Sequence, residues 1–336
     1  MKISASHQNN FDFIRIVAAL LVLFKHQFDL MRIAAPPFST TGLGGLGVCI
    51  FFTVSGYLVT QSYTSDPQIF RFIARRFLRI WPGLAVVTIL AALVMGTMIS
   101  TLTLHDYFHS DQFSNFFETL RLHIQYELPG VFTTNPLTAA VNGSLWTVPL
   151  EIKWYFILLI GGVLRLLKFK WIIFIIMLLL AVYQFGIYHA ETNPEPNYSR
   201  EYGLYFIYGT CMHLFRDQWK QHQIGGTILV ALLSGLFYFM GHEAIALWVA
   251  LPWLLILFGS MQTPVIRRFG RFGDISYGIY IYAFPVQQLG LWLNQGKYPL
   301  PVCMVFSVIC TVACAFISWH CVEKQAMKFK PKTRAA

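Results

Sequence analysis

The sequence predicts an all-α, polytopic membrane protein of about ten transmembrane helices, with both the N- and C-termini cytoplasmic. Three observations predict it. Hydrophobic residues make up 56% of the 336 and charged residues only 12%, about half the charged fraction of a soluble domain. A water-facing surface cannot be assembled from that inventory. Apolar stretches of about 20 residues, enough to cross a bilayer, recur along the whole chain. The cations cluster in alternate connections between those stretches.

Taken in order, the first stretch is 11–30. It follows a polar Met1–Asn10 and precedes no small-residue cleavage site, so it is expected to stay as a helix and not to be removed as a signal peptide. The next windows are 45–64, entered through glycines, and 80–100, entered through an arginine cluster. A long connection, Thr101–Gly143, carries His105, Asp106, Asp111, Glu118 and Glu127 and has room for a short amphipathic helix. Then come 145–166, 170–189, the short 201–215, the pair 225–241 and 243–261, and finally 275–294 and 300–321. One integral domain over 1–336 is expected, with its spans within 11–322 and a basic tail over 323–336.

Loop charges orient the helices. With the N-terminus inside, the inner connections hold Lys2, the cluster Arg71, Arg75, Arg76 and Arg79, then Arg165, Lys168 and Lys170. Further along they hold Arg216, Lys220, Arg267, Arg268 and Arg271, and last the tail cations Lys324, Lys328, Lys330, Lys332 and Arg334. The outer connections hold only Arg32, Arg121, Arg200 and Lys297, as the positive-inside rule requires. The +10 net charge therefore reads as topology, and no nucleic-acid partner is expected. The six cysteines form no CxxC pair, so neither a metal centre nor a disulfide framework is indicated.

Charges inside membrane helices are costly and mark function. The first helix contains Asp12, Arg15, Lys25 and His26. Eleven steps of about 100° bring Arg15 and His26 onto one face, about 16 Å apart along the axis. Asp12, three residues before Arg15, can pair with it there, while Lys25 points elsewhere and can snorkel outward. A satisfied packing histidine is the plain alternative for His26. In the segment NGSLWTVPLEIKWYF, Glu151 lies about 9 Å below the helix start near Leu145. That depth is comparable to that of His26, so Glu151 could orient the imidazole; pairing with Lys153 or Lys25 is the structural alternative. The RFIARRFLRIWPG cluster suits phosphate groups, since guanidinium forks donate two hydrogen bonds, although positive-inside anchoring alone also explains it. The segments FFTVSGYLV and FGDISYGIYIYAFPVQQL fit helix packing, with Asp274 a possible N-terminal cap.

Together these segments resemble the bacterial integral-membrane acyltransferase 3 family, which transfers acyl groups to carbohydrates. Arg15 and His26 match its Arg-x10-His pattern, with Asp12 ahead of it. Ser55–Leu58 is similar to its Ser-Gly-Phe/Tyr-Leu element, and Arg76 and Arg79 supply its arginine pair. Ser144, Trp146 and Glu151 match its Ser-Leu-Trp-Thr…Glu segment. ISYGIYIYAFPV, with Tyr277, resembles its Ser-Tyr…Tyr…Pro pattern, and Glu323 falls near the expected end of the last helix. These matches are in order and cover nearly the whole chain. Ile16 stands where glycine is common, Phe284 precedes the proline where histidine is common, and no esterase-like domain is expected after the last span.

The resemblance implies an O-acyltransferase of the bacterial inner membrane, moving an acyl group, with acetyl the expected one, from acetyl-CoA to a glycan or lipid-linked sugar. His26, Glu151, Arg15 and Asp12 are the catalytic candidates. Arg75, Arg76 and Arg79 are candidates for the CoA phosphates, and Ser144, Trp146 and Tyr277 for substrate binding. O-antigen, as in lipopolysaccharide modification, and exopolysaccharide are the expected acceptors. Two readings from other classes compete: a proton-coupled transporter using the buried Asp, Arg, His and Glu, which the lack of an internal repeat disfavours, and an idle polysaccharide-assembly partner.

Overall fold

A backbone surrounded by lipid can satisfy its own hydrogen bonds only in helices or in a closed barrel. Every regular element among the described residues of this computed structural model is helical. The structure describes residues 9–36, 41–188 and 197–331; the expected cations Lys2, Lys332 and Arg334 lie outside them. The main helices are α1 (Phe11–Leu30), α2 (Gly42–Ser65), α3 (Ile69–Leu90), α4 (Thr147–Val163) and α5 (Lys170–Ala181). They continue with α6 (Tyr198–Leu214), α7 (Gln223–Phe239), α8 (Glu243–Gly259), α9 (Ser276–Asn294) and α10 (Leu300–Ser318).

Five of these, with their flanking turns, are long and apolar enough to cross a membrane: Gly42–Ser65, Ile69–Ile99, Gly143–Val163, Lys170–Ile187 and Leu300–Phe329. α7 and α8 are apolar but shorter. α1 and α9 have the length but carry polar groups, and those groups face each other. Arg15 of α1 meets Asp274 at the start of α9, and Gln287 Nε2 donates to Leu23 O at 2.8 Å and to Gln27 Oε1 at 3.1 Å. A polar side chain is tolerated at this depth when such a partner satisfies it, and α1 and α9 satisfy each other's polar groups. Apolar side chains instead cover the outside: Ile160, Leu179, Leu232, Phe239, Val305 and Ile309 are all exposed.

Small residues set the closest helix contacts, as expected where lipid supplies no hydrophobic drive between helices. A Cβ on Gly56 of α2 would meet Phe206 O of α6 at 2.0 Å, and one on Gly209 of α6 would meet Thr53 O at 2.1 Å. Thr60 and Thr210 join the same seam at 3.1 Å. The SGYL glycine therefore serves close helix approach, in line with the packing role expected of its segment.

The long connection folds back along α3. Thr103 and Ser110 cap two short helices, Leu104–His109 and Asp111–Phe116, and a 3-10 turn covers Phe117–Arg121. The π turn Ala91–Met95 that continues α3 leaves Ala92 O available to Tyr107 Oη at 2.7 Å. Farther along, Trp81 Nε1 donates to Leu120 O at 3.3 Å. Between Ala92 and Trp81 the segment thus descends about 16 Å beside α3, ending against α4.

Candidate active site

At the arginine-rich end of the bundle, α1–α4, the start of α9 and the tail enclose a cavity of about 210 Å³. Arg15, Arg76, Arg79 and Lys330 line it, together with Glu151, Asp274, Ser55, Tyr155, Tyr277 and Met327. Four cations thus face two carboxylates, a net positive field suited to an anion. Arg76 Nε and Arg79 Nη1 are buried without a hydrogen-bond partner. Buried donors of this kind are seldom left unmade without a functional reason.

Asp274 is the hub. Its Oδ2 lies 2.6 Å from both Arg15 Nη1 and Arg79 Nη2, and its Oδ1 accepts from Ser276 Oγ at 2.8 Å. The carboxylate therefore ties α1 to α3 across the front of α9 and does not cap the helix, which has no side-chain cap bond. Gly273 delivers it: φ is +101° there, and a Cβ would collide with the Trp319 ring at 2.0 Å, so only glycine fits the turn. Arg15 takes Asp274 as its hydrogen-bonded partner, and Asp12 adds a second, weaker negative field.

The arginine cluster divides. Arg76 and Arg79 turn into the cavity, Arg76 over the rings of Phe72 and Tyr155 and Arg79 over Tyr277 at 5.8 Å. Tyr277 is fixed by its hydroxyl, which donates to Ile80 O at 2.7 Å. Arg75 instead joins Arg71 on Asp66, at 2.7 and 2.5 Å, in the α2–α3 corner. Arg71, with help from Arg75, holds the Asp66 carboxyl down at about 2.

Glu151 accepts hydrogen bonds from Ser55 Oγ at 3.0 Å and from Tyr155 Oη, while Lys153 turns to Ser199 Oγ at 2.9 Å. Glu151 also lines a second, smaller cavity of about 40 Å³ with Arg15, Thr147, Tyr277 and Tyr280, room for a few waters. The two cavities share Arg15, Glu151 and Tyr277.

His26 lies at the other end of α1, its ring edge-on to Phe284 of α9 at 5.1 Å. Arg15 and His26 both face α9, as helical periodicity predicts. The charges acting on His26 come from Lys25 and Asp29, which pair with each other one turn apart. Glu151 is held at the Arg15 end by Ser55 and Tyr155, so the matching of depths did not bring it onto the imidazole. Phe284 also packs on the 3-10 turn Gly143–Trp146. In that turn Ser144 Oγ is buried and unpartnered, and Ser144 O accepts from Tyr280 Oη at 2.6 Å. Trp146 packs away from His26, against Tyr198 and Tyr202.

Sequence reasoning missed Asp274, Ser55, Tyr155 and Lys330 as cavity residues. Of these only Ser55 carried a signal, its place in the SGYL element. Among the described residues no group of three or more His, Cys, Asp or Glu is arranged to hold a metal ion.

Comparison with known proteins finds relatives along nearly the whole chain. An O-acetyl transferase of Shigella phage Sf6 is 32% identical over 335 residues, covering 95% of this chain and 96% of that protein. Nodulation protein 10 of Rhizobium leguminosarum bv. viciae is 28% identical over 363 residues, covering 97% and 95%. No solved structure matches. A family profile described as an acyltransferase domain matches residues 8–320, so the chain belongs to the acyltransferase 3 family, and the enzyme class expected of it, an O-acetyltransferase, is borne out.

Proposed function

We propose that this multi-pass protein of the bacterial inner membrane moves an acetyl group from cytoplasmic acetyl-CoA to a hydroxyl of a cell-surface glycan or its lipid-linked precursor. The observation that carries the reading is the cationic cavity with unpaired guanidinium donors at the arginine-rich end. An anionic donor fits it, because phosphate oxygens would satisfy Arg76 and Arg79. Clustering of Lys and Arg at that end supports a cytoplasmic location with both termini inside; that orientation requires an even number of spans, and about ten is the count in this reading.

In this reading Arg76 and Arg79 hold the donor phosphates, while Arg15, fixed by Asp274 with Asp12 behind it, orients the arm that carries the acyl group. Arg75, engaged by Asp66, contributes charge at the mouth. Glu151, the carboxylate common to both cavities, can exchange a proton with a group in either. His26, at the far end of α1, is the base for the acceptor hydroxyl, and Ser144, in the turn that packs on Phe284, lines the approach. The acceptor C–O bond forms as the donor C–S bond breaks; the hydroxyl proton passes to His26, and the thiolate departs on the CoA side.

Membranes containing the protein, supplied with labelled acetyl-CoA and an acceptor glycan, test the reading. Labelled glycan is expected from the wild type, with a loss of about 10²–10⁴-fold in His26→Ala. A fully active His26→Ala removes the base assignment. Surface glycans that have the same mass with and without the gene remove the proposed acceptor class.

A further inference from the structure

We infer that the C-terminal tail is part of the donor site, with Lys330 as an anion-binding residue that completes the cationic wall formed by Arg76 and Arg79. The inference rests on the acyl-CoA reading above but concerns residues beyond 8–320, the span that the family profile matches. After α10 the chain continues through a π turn, Trp319–Glu323, a short helical turn and a 3-10 turn, Met327–Phe329. All of these pack on α3. Two contacts fix the path. Ser318 Oγ donates to the buried Glu323 at 2.9 Å, and Glu323 reaches the α3 backbone at Gly83. Lys330 N then closes the last turn on Met327 O at 3.3 Å.

The outcome is that Met327 and Lys330 line the cavity, whereas Lys328, two residues earlier, is exposed and bonded to Gln325 at 2.5 Å. The groups facing Lys330 come from every wall. Arg75, Arg76 and Arg79 come from α3, Arg15 from α1, and Glu151 and Tyr155 from α4, with Asp274 and Tyr277 at the start of α9. Burial, and then Arg76 and Arg79, push the Lys330 ammonium down to about 8. A cation kept half-buried beside two guanidiniums is held against repulsion, and an anion bound among the three relieves it.

The experiment measures acetyl-CoA binding by the purified full-length protein, and the donor KM of acetyl transfer, at pH 7 and pH 9. Wild type, Lys330→Ala, Lys330→Arg and Lys328→Ala are compared. Loss of a charged hydrogen bond predicts about a tenfold or greater rise in KM and Kd for Lys330→Ala at pH 7, with kcat little changed. The wild-type KM should rise toward that of Lys330→Ala at pH 9, as Lys330 loses its proton. Lys330→Arg should keep the low KM at both pH values, and Lys328→Ala should match wild type at both. Equal KM values for wild type and Lys330→Ala overturn the inference, as does tighter binding in Lys330→Ala, which would make the tail a plug. Wild-type protein that neither binds nor uses acetyl-CoA overturns the underlying reading instead.

Discussion

Replacing Asp274 by Asn isolates the central electrostatic element of the site. The side chain keeps its size, but the charge shared by Arg15 and Arg79 disappears. Both guanidinium nitrogens lie 2.6 Å from one carboxylate oxygen, so they are at most about 5 Å from each other. At an effective dielectric constant of about 20, two like charges at that distance repel by about 3 kcal/mol. In the wild type the carboxylate offsets that repulsion; removing one partner from a buried ion pair typically costs about 3–5 kcal/mol, and a loss of that order is expected here. The expected outcome is a clearly lower melting temperature in detergent or nanodiscs, followed by tryptophan fluorescence, with reduced transfer activity. Asp274→Glu keeps the charge and should lose less. Adding Arg79→Gln to Asp274→Asn should cost little more, because the partner is already gone; the cycle should show a coupling of about 0.5–3 kcal/mol. An Asp274→Asn protein that melts with wild type, or strictly additive effects of the two changes, would refute the shared-carboxylate account.

Glu151→Gln should lower transfer at least about a hundredfold, while Tyr155→Phe, which removes one hydrogen bond worth about 1 kcal/mol, should lower it only about fivefold; equal effects would deny Glu151 its special place. Gly209→Ala should destabilise the α2–α6 seam by about 1–3 kcal/mol, read as a loss of folded protein on heating, whereas Gly235→Ala, with open space around its Cβ, should be neutral. The Asp66 carboxylate is depressed in the folded protein to about 2, so its contribution is present above the ordinary carboxylate range and is lost as pH falls through about 2. Hydrogen-exchange protection across the α2–α3 corner, taken relative to the intrinsic amide rate at each pH, should therefore be unchanged from pH 7 to pH 5 in the wild type but lower throughout in Asp66→Asn. Gly273→Ala should mimic the loss of Asp274, since the turn that presents the carboxylate cannot form; normal transfer by this variant would contradict that reading of the turn.

How much of this was legible beforehand depended on the range of each interaction. Helical periodicity depends only on local geometry, so the shared face of Arg15 and His26 could be computed from their spacing. The same held for the cationic character of the cavity wall, since Arg76 and Arg79 belong to a cluster visible in the sequence. Pairings between distant segments could not be read. Asp274, beside Ser276 at a helix start, looks like a cap, and nothing local shows that Arg15, 259 residues away, will claim it. Depth arithmetic placed Glu151 level with His26 but carried no information on which way α4 faces, and its side chain points to Ser55. Arg75 and Arg76 are adjacent and alike, yet one helical step of about 100° sends them to different partners.

The two polar crossings between α1 and α9 constrain what can move. Arg15 meets Asp274 near one end and Gln27 meets Gln287 near the other, in the same order along both chains, so the helices run parallel and are riveted at two levels. Sliding or tilting one against the other would break both attachments together. A rocking mechanism, in which such a pair parts alternately at each face to pass cargo, would have to break both attachments in every cycle. The pair behaves as a fixed strut with a cationic socket at one end and His26 at the other. In the proposed reading, what travels the length of that strut is the flexible arm of the donor, reaching past Tyr277 and Glu151 while α1 and α9 keep their register.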